Sequence, residues 1–186
     1  MTVLELYIAP VMHKPMQRVD RVTAITQRGL DGDHRCRAKL VLSRRATAML
    51  GRDTPQRQVS FLDIDALEKG NAAFLASGVS GARALTTMEM RRNIVTQGVD
   101  LNSLVGQEFT VGSVHFRGTV LATPCSIPLW ARATDEAPYR QDHYDTFIPA
   151  FWPNGGLCAE VLSGGVIDVG AVVQRLTDTP SGLGVG

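Results

Sequence analysis

Short runs in which hydrophobic and polar residues alternate recur along the chain, and they predict strands. Glycine and proline separate the runs at intervals typical of a barrel or a sandwich, and the strand–helix repeat of a doubly wound sheet is missing. The pattern therefore predicts a mainly β fold, a β barrel with a few short helices, with α+β as the alternative description. The predicted strands lie at residues 3–9, 21–27, 40–43 and 57–62 and, in the second half, within 93–106, 107–122 and 155–176.

Helix and turn signals divide these strands. Residues 64–77 carry a helical stripe that Asp63 is placed to cap, although Gly70 weakens the predicted helix. Gly112 and the serine after it separate two alternating runs and predict a hairpin. Residues 126–154 contain both tryptophans and many charges. We expect them to form a long loop with one or two short helices that covers a site.

Length and composition exclude several classes of protein. The 186 residues suit one domain, which we predict over residues 1–176, with a flexible tail at 177–186. A net charge of +1 gives no reason to expect a nucleic-acid or membrane partner, and no run approaches the length of a membrane span. Three widely spaced cysteines without a CxxC pair argue against a disulfide framework. Together with an N-terminus that lacks signal-peptide features, they predict a cytoplasmic protein.

Cys125 is the strongest chemical candidate, because it follows a predicted strand in the stretch GTVLATPCSIPLW. Pro124 lacks an N–H group and cannot continue a ladder, so the thiol is expected at a strand end, where a side chain can be both held and accessible. The alternative is a small, buried and inert cysteine, which is the common case. A reactive thiol needs positive charge nearby. Cys36 and Cys158 are weaker candidates.

Arginine is the second chemical signal, since the chain has sixteen arginines and three lysines. Arg91 and Arg92 precede a predicted strand in EMRRNIV, directly before Asn93, and Arg57 lies at the mouth of another in QRQVSFLD. A guanidinium group binds phosphate or carboxylate bidentately, and an asparagine beside it adds a hydrogen bond. The alternative is a solvated strand start. Adjacent side chains on an extended strand point to opposite faces, so at most one arginine of the pair is expected to face a given pocket.

The loop GLDGDHR contains two glycines and two aspartates. Gly29 and Gly32 suggest unusual backbone angles. We interpret Asp31 and Asp33 as turn-forming residues rather than as a pair of catalytic acids.

Several of these stretches occur in the order that they take in MOSC domains, the molybdenum cofactor sulfurase C-terminal domains. The chain therefore resembles a small, free-standing bacterial member of that family over residues 3–176. The stretches are IAPVMHKPM, QRGLDGDHR, RQVSFLD, RRNIVTQGVDLNSLVGQEFTVGSVHFRGT, PCSIP and GGLCAEVLSGGVIDVG.

The resemblance implies a closed or nearly closed β barrel and assigns the family's functional thiol to Cys125. In this family, the cysteine after proline carries sulfur as a persulfide or ligates molybdenum directly. Arginines would hold the anionic tail of a molybdenum cofactor, and the glycine loop would let its backbone come close. The expected cofactor-binding residues are Arg57, Arg92, Asn93, Gly29, Gly32 and Asp33.

Three functions are compatible with this interpretation. The first is a sulfur-carrier domain, whose Cys125 persulfide serves a molybdenum or metal–sulfur centre. Its donor would be a cysteine desulfurase and its acceptor a molybdoenzyme. The second is a reductase of N-hydroxylated compounds that binds the molybdenum cofactor, with Cys125 as the metal ligand. The third is a non-catalytic binding module with an inert cysteine. A cysteine hydrolase is a more distant alternative, for which His115 and His143 are candidates.

Pyridoxal phosphate is not expected on this chain, because Lys14, Lys39 and Lys69 lie in no recognisable setting for it. Any such cofactor would belong to the partner. The chain also departs from the family at two positions. Cys158 stands where an arginine often follows GGL, which removes a possible anion contact, and Ala171 replaces the aspartate of VGD, which we interpret as a turn variation.

Overall fold

The described part of the computed structural model, residues 1–12, 14–36, 57–134 and 137–176, is mainly β, as predicted. The predicted strand at 40–43 and the predicted tail at 177–186 lie outside the described residues. The described strands are β1 (Thr2–Ile8), β2 (Gln17–Val19), β3 (Arg21–Ile25), β4 (Gly29–Leu30), β5 (Val59–Asp63), β6 (Ile94–Gln97), β7 (Glu108–Val111), β8 (Val114–Leu121), β9 (Leu157–Ser163), β10 (Gly165–Asp168) and β11 (Val173–Arg175). The helices are α1 (Ile64–Ala76), α2 (Ile127–Arg132) and α3 (Gln141–Phe151), and a 3₁₀ turn spans Leu101–Leu104.

These strands form two sheets. The larger sheet has eight strands in the order β11-β7-β8-β9-β5-β6-β1-β2, and the smaller has three in the order β10-β3-β4. Strands β5 and β6 run parallel, whereas the other paired strands are antiparallel. A parallel pair needs a crossover connection, and α1 lies within it.

The larger sheet is not closed into a barrel by a continuous ladder, which corrects the barrel expectation. An isolated bridge joins Thr2 of β1 to Val172 beside β11, and the Val3 amide donates to the Ala171 carbonyl over 2.9 Å. The ladder does not continue from there, because the second half of β1, from Leu6 onward, pairs with β2.

Strand β5 forms the centre of the larger sheet, and all five of its residues are buried. Its Phe61 ring packs edge-on against Phe109 and Phe116, with ring centroids 5.4 and 5.3 Å away. A fully buried aromatic side chain contributes roughly 1.5–3 kcal/mol. The apolar packing therefore gives a rigid support for the residues just before β5 and β6.

Helix α1 begins at the predicted cap. The Asp63 carboxylate accepts from the Asp65 amide over 3.2 Å and from the Val99 amide over 2.9 Å. Gly70 lies inside the helix, and a Cβ there would overlap the ring of Phe151 from α3. The glycine that weakens the helix locally therefore allows the two helices to approach.

Residues 126–154 form two short helices, α2 and α3, as predicted. The helices share a second apolar core with α1, formed by Leu62, Leu67, Phe74, Leu85, Met90, Leu129, Phe147 and Phe151. Arg132 of α2 donates to the Arg83 carbonyl over 3.0 Å, and His143 of α3 lies 2.9 Å from the Ser80 carbonyl. In the described part of the chain, no helix is both long and apolar enough to cross a membrane.

Candidate functional site

Cys125 lies between the end of β8 and the start of α2, at a strand end as predicted. The chain just before it packs tightly against the loop that precedes β9. A Cβ on Gly155 would overlap the Ala122 carbonyl and would lie 2.9 Å from Pro124 Cδ. The Ala122 amide also donates to the Gly156 carbonyl over 2.8 Å. These contacts fix the backbone that carries Cys125, whose residue is partly exposed.

Cys125 lines a cavity of about 70 Å³. Four predicted site residues line it together, namely Cys125, Arg92, Asn93 and Asp33, and three do not, namely Arg57, Gly29 and Gly32. The sequence analysis missed three further polar residues of the lining, namely His34, Arg35 and Ser60, and it named Arg91 but did not choose it beside Arg92. The cavity thus lies between residues 32–35, here called the GDHR loop, the start of β6 and the Cys125 thiol.

Arg92 is the most deeply buried arginine of this cavity, with 9% of its surface exposed. Its Nε donates to the Gly155 carbonyl over 3.0 Å and its Nη2 to the Ala122 carbonyl over 3.4 Å. Gly156 has φ 115°, and a Cβ there would overlap the Phe61 carbonyl oxygen and lie 3.3 Å from Arg92 Nε, so the glycine lets its loop approach both β5 and the guanidinium. Among the described residues, no carboxylate pairs with Arg92. A buried charge without a counter-ion is costly, so the arrangement favours an anionic ligand.

The charges around Arg92 are consistent with this conclusion. The pKa of Arg92 lies below its ordinary value, chiefly because the side chain is buried. The nearby sulfur atoms of Cys158 and Cys125 raise this pKa. The positive charges of Arg35 and Arg57 lower it further. Arg57 therefore acts on the site electrostatically without lining the cavity.

Arg91 also lines the cavity, so the expectation that only one of Arg91 and Arg92 faces a pocket is wrong. The reason is backbone conformation, because Arg91 has φ 58° and the chain is not extended there. Its Nη1 donates to the Lys14 carbonyl over 2.8 Å. Burial and the positive charge of Arg35 lower the pKa of Arg91, and Asp33 opposes them.

Asn93 and Asp33, which both line the cavity, belong to a buried hydrogen-bond network. Asn93 Nδ2 donates to Asp33 Oδ2 over 2.9 Å and to the Tyr7 carbonyl over 3.2 Å. Asn93 Oδ1 accepts from Ser60 Oγ over 2.8 Å and from the Ser60 amide over 3.1 Å. Asp33 Oδ2 also accepts from the Ala9 amide over 2.8 Å. The Asn93 amide thus uses its donors and acceptors within the protein. The network positions the wall, and cofactor binding by Asn93 stays a prediction.

Among the described histidines, His34 is the one that lines the Cys125 cavity. Its Nδ1 lies 2.9 Å from the Ala9 carbonyl, which requires a proton on that nitrogen, and 3.4 Å from Asp33 Oδ1. The two histidines named from the sequence lie elsewhere, since His115 is 2.9 Å from Glu108 and His143 contacts the α1–β6 connection. The adjacent Asp-His pair was visible in the sequence, but its proximity to Cys125 depends on the fold.

The two loop glycines meet backbone requirements. Gly29 has φ 118°, and a Cβ there would lie 2.9 Å from the Gln58 carbonyl oxygen. Gly32 has φ 79°, and a Cβ would lie 3.2 Å from Ile8 Cδ1. Neither lines the cavity, so their contact with a cofactor stays a prediction.

The family model of the MOSC domain matches residues 20–174. The chain belongs to the MOSC domain family. MOSC domains are associated with molybdenum cofactor proteins. No curated protein matches this MOSC domain in sequence.

Solved structures share the fold of this MOSC domain. The YuaD protein from Bacillus subtilis is 19% identical with a TM-score of 0.73, and the match covers 94% of this chain and 96% of that one. YiiM from Escherichia coli is 14% identical with a TM-score of 0.56, covering 95% of this chain and 70% of that one. YiiM from Geobacillus stearothermophilus is 12% identical with a TM-score of 0.53, covering 95% and 73% respectively.

The donor set of this MOSC domain suits parts of a molybdenum cofactor, because molybdenum accepts a soft sulfur ligand and guanidinium groups bind phosphate. The size does not suit the whole group. Sites for molecules of that size occupy about 300–1,000 Å³, whereas the cavity at Cys125 measures about 70 Å³. A cavity of about 360 Å³ lies at the start of α1, but none of the predicted site residues lines it. As the described residues form it, the Cys125 cavity fits a sulfur atom and a small anion and does not enclose a pterin.

The other two thiols of this MOSC domain have different surroundings. Cys158 is 4% exposed in β9, opposite Ser60 of β5, and this buried thiol lies near Arg92. Cys36 is partly exposed, and burial together with the Asp31 carboxylate raises its pKa. Cys125, and not Cys36, is therefore the partly exposed thiol that shares a cavity with Arg91 and Arg92.

Proposed function

We propose that this MOSC domain is a sulfur carrier whose Cys125 holds a sulfur atom as a persulfide and passes it to a molybdenum or metal–sulfur centre. The observation that carries the proposal is the cavity that Cys125 shares with Arg92, a buried cation without a carboxylate partner among the described residues.

A carrier must hold anionic sulfur and release it. Arg92 uses Nε and one Nη2 bond on backbone carbonyls, which leaves further N–H donors of the guanidinium for a ligand. Hydrogen bonds to an anion are shorter and roughly twice as strong as neutral ones. Arg91, on the same cavity, adds a second cation. The terminal sulfur of a Cys125 persulfide would be stabilised as an anion beside these groups.

A carrier thiol must also stay in place while partners come and go. The tight packing of Gly155 on Ala122 holds the chain before Cys125, and the Asn93–Asp33 hydrogen bond holds the facing wall. The cavity should therefore keep its geometry between uptake and release of sulfur.

Helix α2 contributes Ile127 and Pro128 to the apolar part of the cavity lining, together with Ala9, Met16 and Met90 from other segments. Arg132, at the last turn of the same helix, lies 3.6 Å from Glu89 and anchors the helix to the connection before β6. An apolar, anchored wall on this side of the cavity would hinder the approach of small thiols that could reduce the persulfide.

The carrier requires two partners. We infer a cysteine desulfurase as the donor and a molybdoenzyme as the acceptor, because the family is associated with molybdenum cofactor proteins and Cys125 is partly exposed, within reach of a partner. Pyridoxal phosphate would be bound by the donor.

The test is sulfur loading by a cysteine desulfurase and free cysteine, followed by mass spectrometry of the intact chain and its peptides. We expect one added sulfur on Cys125, no loading of Cys125→Ser, and full loading of the matched variant Cys36→Ser. Loading that survives in Cys125→Ser would show that the thiol assignment is wrong.

Two other results would replace the proposal. Molybdenum and pterin retained in equal amounts on purification from a host that makes the cofactor would favour the reductase. Alkylation of Cys125 as slow as that of buried Cys158 would favour an inert binding module.

A further inference from the structure

We infer that the Cys125 cavity accepts a small anionic sulfur donor, a thiosulfonate-type oxyanion with a terminal sulfane sulfur, of which thiosulfate is the simplest example. The inference rests on the proposed function, because it names a second source of sulfur for the same thiol. It adds a small-molecule route to the one that uses a desulfurase.

Positive charge dominates the lining. Arg35, Arg91 and Arg92 line the cavity, and Asp33 is the acidic residue among them. The Asp33 carboxylate is already engaged, since Oδ2 accepts from Ala9 and Asn93 and Oδ1 accepts from the Arg35 amide over 2.9 Å. Arg92 forms no ion pair with a described carboxylate. Three guanidinium groups against one carboxylate leave a net positive charge on the lining, which favours an anion with several oxygen atoms.

The buried position of Arg92 makes this preference specific to the cavity. A surface arginine is satisfied by water, but Arg92 is more than nine-tenths buried, and its two hydrogen bonds within the protein go to the neutral Gly155 and Ala122 carbonyls. An anion in the cavity would supply the missing counter-charge where solvent screening is weak.

The size of the cavity selects among anions. As the described residues form it, the cavity of about 70 Å³ suits a small oxyanion and is too small to enclose a nucleotide, a peptide carboxylate with its side chains or a complete pterin cofactor. Because Cys125 lines the same small space, an oxyanion bound by Arg91 and Arg92 would present its outer sulfur to the thiol. A donor that combines both features is an oxyanion that carries sulfane sulfur.

The reaction balances without an external oxidant. The Cys125 sulfur attacks the outer sulfur of thiosulfate and forms the new S–S bond. The S–S bond of thiosulfate breaks, and its electron pair leaves with sulfite. Cys–S⁻ and S₂O₃²⁻ thus give Cys–S–S⁻ and SO₃²⁻, and the proton of the starting thiol ends on the persulfide or on sulfite. Cyanide can discharge the carrier, because it takes the outer sulfur as thiocyanate and returns the Cys125 thiolate.

The experiment incubates the full chain with thiosulfate and follows sulfite release, the mass gain on Cys125 and thiocyanate formation after cyanide is added. Wild type should gain one sulfur at Cys125, Cys125→Ser should gain none, and sulfate should compete with thiosulfate.

Arg91→Met should lower the loading rate about tenfold, as expected for loss of a charge-assisted hydrogen bond. The matched variant Arg175→Met removes an exposed arginine of β11 and should leave loading unchanged. Since Arg92→Met also removes two internal hydrogen bonds, its folding is checked by circular dichroism before its loading rate is compared.

A parallel reaction with a cysteine desulfurase separates the possible failures. If the desulfurase loads Cys125 and thiosulfate does not, the inference is wrong and the proposed function stands. If neither donor loads Cys125, both are wrong. Equal thiosulfate loading of wild type, Arg91→Met and Arg92→Met would also overturn the inference, because the arginines would then not bind the donor.

Discussion

Asn93 Nδ2 donates to Asp33 Oδ2 over 2.9 Å, and this buried hydrogen bond joins the GDHR loop to the residue that precedes β6. Arg92 directly precedes Asn93 in the chain, and Arg35 follows Asp33 after His34. Both arginines line the cavity of Cys125, so the hydrogen bond also helps to hold them there. The bond therefore links the stability of the fold to the shape of the cavity.

Asn93→Ala should destabilise the protein by about 2–4 kcal/mol, because it leaves buried Asp33 without one donor and Ser60 without its acceptor. Urea unfolding followed by circular dichroism measures the loss. The matched variant is Asn102→Ala, which removes a half-buried hydrogen bond to Asn154 and should cost about 1 kcal/mol. Equal losses in the two variants would mean that the network contributes no more than an ordinary hydrogen bond.

Gly70→Ala should destabilise the protein although alanine favours helices. Helix propensity alone would give a gain of roughly 0.5–1 kcal/mol. The added Cβ overlaps the Phe151 ring, so we expect a net loss of about 1–3 kcal/mol, as in overpacked cores. Thermal unfolding of Gly70→Ala and of Gly70→Ala/Phe151→Leu tests this explanation. Phe151→Leu is also measured alone, because it removes a buried ring: it should destabilise Gly70→Ala less than it destabilises wild type, and an equal loss in both backgrounds would show that Phe151 is not the cause.

The local parts of the fold could be predicted from the sequence. The alternation of 107–122 gave the β7–β8 hairpin, Asp63 gave the start of α1, and the break at Pro124 gave the strand end that carries Cys125. Each depends on residues within a few positions of one another. The open larger sheet could not be predicted in this way, because it depends on β2 and β11 competing for one edge of β1.

The residues of the site could be predicted only in part, because local sequence signals mark single residues and not the long-range contacts that bring them together. Arg92 and Cys125 were chosen from their own surroundings in the sequence, and the fold placed them on one cavity. His34 and Arg35 were missed, because only long-range packing brings their loop to the thiol. Arg91 was not expected on the same cavity as Arg92, because a positive φ at a residue other than glycine leaves no signal in the sequence pattern.

Cys125 should react with iodoacetamide at neutral pH about tenfold faster than Cys36, although both residues are partly exposed. Burial and the Asp31 carboxylate raise the pKa of Cys36, so its thiolate is scarce at neutral pH, whereas Cys125 opens onto the cavity that Arg91 and Arg92 also line. Peptide mass spectrometry at timed intervals gives the two rates. Asp31→Asn should speed the reaction of Cys36 and leave that of Cys125 unchanged. A Cys36 rate that equals or exceeds the Cys125 rate would contradict the charge argument.

Acid should loosen the attachment of α2 through Glu89. Burial raises the pKa of Glu89. The hydrogen bond from the Thr86 amide and the positive charges of Arg132 and Arg83 lower it by more, so the pKa of Glu89 lies below its ordinary value of 4.5. A carboxyl group with a lowered pKa stabilises the fold above the unfolded-state pKa, and this contribution is lost as the pH falls through the folded-state pKa. The free energy of unfolding of wild type should therefore exceed that of Glu89→Gln at neutral pH, and the difference should shrink as the pH falls below about 4.5. Urea unfolding of both proteins between neutral and acidic pH measures this difference. A difference that stays constant, or grows in acid, would show that the ionised carboxylate does not hold α2 in place.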